Sequence, residues 1–155
     1  MSIDVAIDST IERTADDVFA AVADIDAWPT WLIASGIRSV RRERTGEPWV
    51  GERMVVEQNA AGRAGTFDAQ ISTFEPARRI ALKGRDRDGV TIDLEAVVAP
   101  TVGADGATSE LRWSIRIGLP LKYRVFESMA RPQVERAALL DVESLRLRLE
   151  SPAKG

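Results

Sequence analysis

The sequence contains no cysteine and no histidine. Without cysteine, the protein has neither disulfide bonds nor a thiolate nucleophile. Without histidine, it lacks the side chain that titrates near neutral pH and that most often ligates metals. A metal site would need carboxylates alone, and no cluster of aspartates and glutamates has the spacing of a known metal-binding loop. We therefore expect neither a metal ion nor any other cofactor.

The chain also lacks an excess of positive charge, since 21 lysines and arginines are set against 24 aspartates and glutamates, for a formal net charge of −3. Nucleic acid binding requires a basic surface that neutralises phosphates, so we expect no nucleic acid partner. The local cluster of Arg38, Arg41, Arg42 and Arg44 is interrupted by Glu43. We interpret this cluster as a solvated strand edge rather than an anion site.

Long apolar runs are absent as well. No stretch approaches the length that crosses a membrane, so we expect no integral membrane segment. The first residues do not show a basic region followed by an apolar run, which is the pattern of a secretory signal peptide. A cytoplasmic location is the resulting expectation.

Much of the chain shows the alternation of apolar and polar residues that predicts half-buried strands. In the first such segment, Ile3, Val5 and Ile7 alternate with polar or small residues. Turn signals such as Asp88-Gly89 and Asp105-Gly106 separate later segments, and sequential hairpins form an antiparallel meander. The predicted strands span residues 3–11, 37–44, 52–58, 67–74, 79–85, 90–98 and 111–117.

Two short helical segments are predicted between the first and second strands. Thr14 occupies an N-cap position before an apolar helix face, and Asp24 has the position of a second cap. Pro29 limits how far the second turn continues. We expect Trp28 to complete the core, and Trp31 to lie partly exposed at a cavity mouth, where its indole N–H finds a partner.

Residues 119–149 predict one long helix after the last strand, with Pro120 in its first turn and a kink or lost hydrogen bond at Pro132. Its period predicts one broad inward stripe and a second apolar line in the later half. The second line is interpreted as packing within the fold or as a dimer contact, so a monomer and a homodimer both remain open. The stripe comprises Val125, Phe126, Met129, Gln133, Ala137, Leu140, Ser144 and Leu147, and the second line comprises Val134, Ala138, Val142, Leu145 and Leu149.

This order of elements, in one domain spanning residues 1–155, resembles the α+β helix-grip fold of the START-like or Bet v 1-like superfamily (SRPBCC). Within the superfamily it is similar to the polyketide cyclase/dehydrase and lipid-transport group. The most specific part runs from Asp17-Val18-Phe19 through Val22 and Asp24 to Trp28-Pro29 and Trp31. Further matching pieces are Val50-Gly51 and Phe74-Glu75-Pro76 with Arg79-Ile80.

The resemblance implies an antiparallel sheet of about seven strands, in the order β-α-α-β6-α, curved around the terminal helix with an internal cavity. Combined with the inward phases of the strands and of the helix, it predicts a hydrophobic ligand site. Each apolar member could equally be plain core. The predicted ligand-binding residues are Trp31, Met54, Val56, Gln58, Phe67, Ala69, Ile71, Leu82, Ile92, Leu94, Leu111, Trp113, Tyr123, Phe126, Met129 and Gln133.

No catalytic residue can be assigned from the sequence. Without histidine, a general base would have to be Asp, Glu, Lys or Tyr. Tyr123 could donate a hydrogen bond to a substrate oxygen, and Arg136, which borders the helix stripe, could reach an acidic ligand group. No pair of carboxylates occurs on the predicted inward face, which disfavours acid–base catalysis and leaves open catalysis by holding reacting atoms together.

Three functions remain possible from the sequence. The first is binding of a hydrophobic small molecule such as a lipid, polyketide or isoprenoid beneath the terminal helix. The second, implied by the resemblance, is a polyketide aromatase/cyclase that orients its substrate. The third is a co-chaperone role like that of Hsp90 activators, using an outer sheet face that carries Asp93, Glu95, Arg112 and Arg116. Fold alone does not decide among them.

Overall fold

The computed structural model describes residues 2–60, 62–101 and 106–151. Asp105 of the predicted last hairpin lies outside these residues. Within them, no helix combines the length and the apolar character needed to cross a bilayer.

A seven-stranded antiparallel sheet forms the body of the molecule, in the order β1-β7-β6-β5-β4-β3-β2. Consecutive strands from β2 to β7 are neighbours, as the predicted meander requires, and β1 joins at the β7 edge. Every predicted strand is present; five of the fourteen strand ends differ from the prediction by two to four residues, and the other nine by at most one. The strands are β1 (Ser2–Ile11), β2 (Ile37–Arg42), β3 (Arg53–Ala60), β4 (Arg63–Glu75), β5 (Arg79–Arg85), β6 (Thr91–Pro100) and β7 (Ser109–Gly118).

The helices follow the predicted order. They are α1 (Ala15–Ala23), a short 3-10 turn (Ile25–Ala27), α2 (Trp28–Trp31), a second 3-10 helix (Leu121–Phe126) and α3 (Glu127–Glu150). We call Leu121–Phe126 the 3-10 segment. α3 lies mainly against β1. The helix-grip prediction is thus confirmed.

The start of α1 matches the prediction, whereas the second cap does not. The Thr14 side chain accepts a hydrogen bond from the Asp17 backbone N–H at 3.1 Å, which satisfies one of the free donors at the helix start. Asp24 makes no side-chain cap bond. Pro29 does not end a helix but stands in the first turn of α2, where its missing N–H has no cost.

The prediction that Trp31 lies partly exposed is wrong. Its side chain is 1% exposed, and its indole N–H has no hydrogen-bond partner among the described residues. Because α2 is helical from Trp28 to Trp31, these residues are three apart on one face and enter the core together. Trp113 packs edge-on between them, with ring centroids 5.9 Å from Trp28 and 5.4 Å from Trp31.

The arginine cluster on β2 is not wholly solvated. The Arg42 side chain is buried, and its Nε and Nη2 donate to the two carboxylate oxygens of buried Glu52 at 2.6 and 3.0 Å. Its Nη1 donates to Asp26 at 2.8 Å. The hydrogen bonds with Glu52 raise the pKa of Arg42, so the guanidinium stays charged. These two ion pairs link β2 to the residue that precedes β3 and to the short 3-10 turn.

The inward stripe predicted for the terminal helix is also wrong in part. Leu140 and Leu147 are exposed, and Val125 precedes α3 in the 3-10 segment. The second apolar line is the side that packs, since Ala138, Val142 and Leu145 are all buried. A 3-10 helix turns by about 120° per residue, so one helical phase cannot be carried from residue 119 to 149.

Candidate functional site

A pocket of about 610 Å³ lies between the inner face of the sheet, the 3-10 segment and the first half of α3. It occupies one end of that face, beside the β3–β4 and β5–β6 turns and the end of β7. Six of its wall residues have a nitrogen or oxygen atom in the side chain, and the others are aliphatic residues, alanine, phenylalanine and one methionine. The six are Ser35, Gln58, Arg63, Trp113, Tyr123 and Gln133.

Nine of the sixteen predicted ligand-binding residues lie at this pocket. Their role in binding a ligand stays a prediction. They come from β3, β4, β6, β7, the 3-10 segment and α3, which the chain order separates widely. The nine are Gln58, Phe67, Ile92, Leu94, Trp113, Tyr123, Phe126, Met129 and Gln133.

The other seven predicted residues do not line the pocket and are buried in the hydrophobic core. Strand phase placed the six strand residues on the correct face, but α1, α2 (which carries Trp31) and the second half of α3 cover the rest of that face. Arg136, the candidate for an acidic ligand group, is exposed and does not line the pocket. The seven core residues are Trp31, Met54, Val56, Ala69, Ile71, Leu82 and Leu111.

Arg63 is a pocket residue that the sequence analysis missed. It stands at the start of β4, four residues before Phe67, so its side chain lies on the same face of the strand. Extending the predicted strand back by four residues would have found it. Its Nη2 donates to Asp86 at 2.8 Å and to Asp88 at 2.7 Å. Asp86 continues the inward phase of β5 and is itself buried.

The arginine is held in place and charged. Asp86 also accepts hydrogen bonds from the backbone N–H groups of Asp88 and Val90, both at 2.9 Å, which fixes the carboxylate. The hydrogen bond to Asp86 raises the pKa of Arg63. Its guanidinium carbon lies 5.5 Å from the ring centroid of Tyr123, a cation–π distance. Among the described residues, no hydrogen bond is made by its Nε or Nη1, so these donors remain available.

A buried carboxylate on α3 fixes the part of the pocket wall that Ala34 and Ser35 form. Asp141 accepts hydrogen bonds from the backbone N–H groups of Ala34 at 2.8 Å and Ser35 at 2.9 Å. Burial raises the pKa of Asp141, while these hydrogen bonds act in the opposite direction. Gln58 adds a bond from its Nε2 to the Ser35 carbonyl at 2.8 Å. The 34–36 turn is therefore tied to both α3 and β3.

Two glycines make room in this region. Gly36 has φ of 79°, and a Cβ there would lie 2.0 Å from the Asn59 carbonyl oxygen, so no side chain fits. Gly84 faces inward, and a Cβ there would approach Ile92 Cγ2 to 3.2 Å. The first glycine permits the turn that carries Ser35, and the second leaves the inner face of β5 open beside Phe67.

The ionisable side chains at the described pocket wall are Arg63 and Tyr123, and both are hydrogen-bond donors. No carboxylate lines the pocket in the part of the chain that the structure describes. The arrangement can hold an apolar body and donate hydrogen bonds to an oxygen at one end. It does not offer a paired acid and base.

The outer sheet face carries the charges predicted for a protein-interaction surface. Several of these charges are already paired across strands: Arg116 with Asp4 at 2.6 Å and Arg112 with Asp8 at 2.9 Å. These pairs lower the pKa values of Asp4 and Asp8. Charges satisfied in this way give no specific support to a co-chaperone role.

A family model described as polyketide cyclase/dehydrase and lipid transport matches residues 2–150. A search of curated proteins finds no significant match to the sequence.

Solved structures with the same fold share little sequence. The Zhui aromatase/cyclase from Streptomyces sp. R1128 is 17% identical with a TM-score of 0.75, over 97% of this chain and 94% of that one. A START superfamily protein from Mycobacterium smegmatis is 14% identical with a TM-score of 0.73, over 95% and 97%. A protein from Thermus thermophilus is 12% identical with a TM-score of 0.74, over 97% and 99%. At these identities the likeness shows the fold alone.

Proposed function

The chain belongs to the polyketide cyclase/dehydrase and lipid transport family, and we propose that it binds a mainly apolar small molecule in the pocket. The ligand class is a lipid, polyketide or isoprenoid with one oxygen-bearing end. That end lies toward Arg63 and Tyr123, and the apolar body lies along the inner face of the sheet.

The single observation that carries this proposal is the pocket itself. Its volume of about 610 Å³ falls within the range of small-molecule sites. Aliphatic and aromatic side chains form most of the wall, and few polar groups converge on it. This combination is typical of sites in which burial supplies affinity and a few hydrogen bonds supply orientation.

Arg63 supports the proposal that one end of the ligand carries oxygen. A charged arginine at the wall of an apolar pocket favours an oxygen-bearing ligand group, because charge-assisted hydrogen bonds are stronger than neutral ones. Asp86 and Asp88 engage only Nη2, so the remaining donors are free to bind a carboxylate or a keto oxygen without breaking these pairs.

A ligand screen tests the proposal. Native mass spectrometry and thermal shift would be run with fatty acids, isoprenoid alcohols and aromatic polyketides. A ligand at a hundred times its Kd should stabilise the protein by about 2.7 kcal/mol. We further expect a fatty acid to bind more tightly than the alcohol of equal length, and Arg63→Lys to reduce that preference because lysine lacks the planar fork.

A matched pair of variants on α3 localises the binding. Ala130 is half-buried at the pocket wall, so Ala130→Phe should fill the pocket and weaken binding at least about tenfold. Leu140 is exposed on the same helix and does not line the pocket, so Leu140→Phe should bind as the parent does. Equal affinities for the two variants, or no ligand at all, would refute the pocket as a binding site.

A second candidate is a polyketide aromatase/cyclase. The free donors of Arg63 favour it, because they could polarise a keto oxygen while the pocket holds the chain folded. The Zhui structure is that of an aromatase/cyclase, which motivates the test without deciding it. Incubation with a reactive poly-β-ketone should change the product distribution, and an unchanged spontaneous mixture would exclude this activity.

A further inference from the structure

Large apolar side chains are exposed around the mouth of the pocket. We define the mouth patch as Leu121, Val125, Phe126 and Met129, with exposed fractions of 77%, 74%, 52% and 67%. Phe126 and Met129 also line the pocket, so the patch is continuous with its apolar interior. Exposed apolar side chains grouped at the mouth of an apolar pocket are typical of an interaction site.

The charges beside the mouth patch are predominantly positive, although the whole chain has a net charge of −3. The segments at this end of the molecule are residues 59–60, 62–63, 86–89 and 119–131. The three carboxylates pair with Arg63, Lys122 and Arg131, which leaves Arg87 and Arg124 as the cations without an ion pair among the described residues. The five cations are Arg63, Arg87, Lys122, Arg124 and Arg131, and the three carboxylates are Asp86, Asp88 and Glu127.

The backbone that carries the patch is lightly attached. The 3-10 segment has no buried residue and no side-chain cap at its start. Leu121 and Val125 in particular are exposed and contribute little to the core.

We propose that the mouth patch inserts into the surface of an anionic lipid membrane, with Lys122 and Arg124 at the level of the headgroups. Buried apolar area and attraction between basic residues and anionic lipids are the two terms that hold a protein at such a surface. A second copy of the chain would bring two positively charged mouths together, which disfavours self-association through the patch. Docking in this orientation turns the pocket toward the bilayer, so an apolar ligand could pass without crossing water.

Co-sedimentation with vesicles tests this partner. We expect the full chain to bind phosphatidylcholine vesicles that contain about 30 mol % phosphatidylglycerol, to bind pure phosphatidylcholine weakly, and to detach as salt is raised. The double variant Leu121→Ser with Val125→Ser should lower the partition coefficient at least about tenfold. The matched control is Leu139→Ser with Leu147→Ser, since both leucines are exposed on the later half of α3. This control should bind as the parent does.

A charge-reversal pair separates the electrostatic contribution. Lys122→Glu with Arg124→Glu should abolish binding to the anionic vesicles. Arg53→Glu with Arg78→Glu makes the same change in net charge at the opposite end of the sheet and should have a much smaller effect. Equal losses in the two charge variants would mean that net charge alone drives adsorption, which would overturn the proposal.

The remaining outcomes are also decisive. Failure of the parent to bind, or equal losses in the two leucine variants, would refute membrane docking through the patch. So would a dimer in analytical ultracentrifugation that Leu121→Ser with Val125→Ser dissociates, because the patch would then be a self-contact. A parent that binds palmitate in solution but ignores vesicles would refute docking and leave the proposed function standing. A parent that binds vesicles but takes up no ligand would refute the proposed function and leave membrane docking standing.

Discussion

The two halves of the C-terminal segment differ in how they are attached to the fold. Residues 121–133 begin in a 3-10 helix, expose Leu121, Val125 and Met129, and contribute side chains to the pocket wall. Residues 134–150 bury Ala138 and Leu145 against the rest of the molecule. Helical backbone occurs in both halves, since α3 runs from Glu127 to Glu150, so regular backbone alone does not determine which part is needed for stability.

The later half is also fixed by polar contacts. Asp141 holds the 34–36 turn, and Arg13 donates from Nε to the Leu149 carbonyl. The Glu12 backbone N–H donates to the Glu150 carboxylate at 3.0 Å. In the earlier half, Pro132 has no N–H to donate to the Ser128 carbonyl, so one helical hydrogen bond is missing. These differences indicate an anchor in residues 134–150 and a cover over the pocket in residues 121–133.

The largest expected effect is the difference in stability loss when a side chain is truncated in each of the two halves. Leu145 is 3% exposed, so Leu145→Ala should lower the free energy of unfolding by about 3 kcal/mol through lost burial and a cavity. Met129→Ala should cost less than about 1 kcal/mol, because most of that side chain is already in water. Urea unfolding of both variants checks this, and similar losses would contradict the division into anchor and cover.

The next effect concerns Asp141. Asp141→Asn keeps the shape but presents an amide N–H₂ to one of two backbone donors, which should cost about 1–3 kcal/mol. Because the pKa of Asp141 is raised above its ordinary 3.8, the folded state holds this proton more tightly than the unfolded state. Its contribution to stability is therefore greatest below pH 3.8 and declines as pH rises through the folded-state pKa.

The difference between parent and Asp141→Asn isolates this contribution, because the other carboxylates titrate in both proteins. Unfolding free energies measured from about pH 4 to 7 should show the parent losing its advantage over the variant as pH rises. A growing advantage would mean that the native hydrogen bonds, rather than burial, dominate the pKa.

A smaller effect should appear in the dynamics of the helix. Amides in residues 120–132 should exchange with solvent faster than those in residues 136–146, since they belong to a segment with little buried surface. Pro132→Ala restores a donor for the Ser128 carbonyl and should slow exchange in the earlier half selectively. Uniform protection of the two halves, measured by hydrogen exchange with mass spectrometry, would contradict a separately opening cover.

The strands and their order could be predicted because alternation is a local property. Ile3, Val5 and Ile7 bury one face of β1 wherever the strand lies, and short turns impose antiparallel neighbours. The same alternation placed Phe67 and Ile92 on the inner face, where they line the pocket. The fold followed from these signals together with the resemblance of the element order.

The extent of the pocket could not be predicted in this way. Strand phase gives the face on which Met54 lies, but only the positions of the helices determine which part of that face stays open. The choice between two apolar stripes on α3 is likewise tertiary. Ala138 is buried on the packed side of α3, and Asp141 on that side accepts hydrogen bonds from backbone donors that no local pattern reveals.

The smallest expected effect concerns the ion pairs of the later half, and it tests whether they or buried apolar side chains anchor that half. Arg146 pairs with Glu143 three residues earlier and with Glu150 at 2.5 Å four residues later. These pairs raise the pKa of Arg146, but they lie at the helix surface, where salt and side-chain entropy offset most of their value. Arg146→Ala should therefore change the unfolding midpoint in urea far less than Leu145→Ala does, and high salt should shrink the difference further. A loss comparable to that of Leu145→Ala would assign the anchoring to the surface network instead of the buried apolar line.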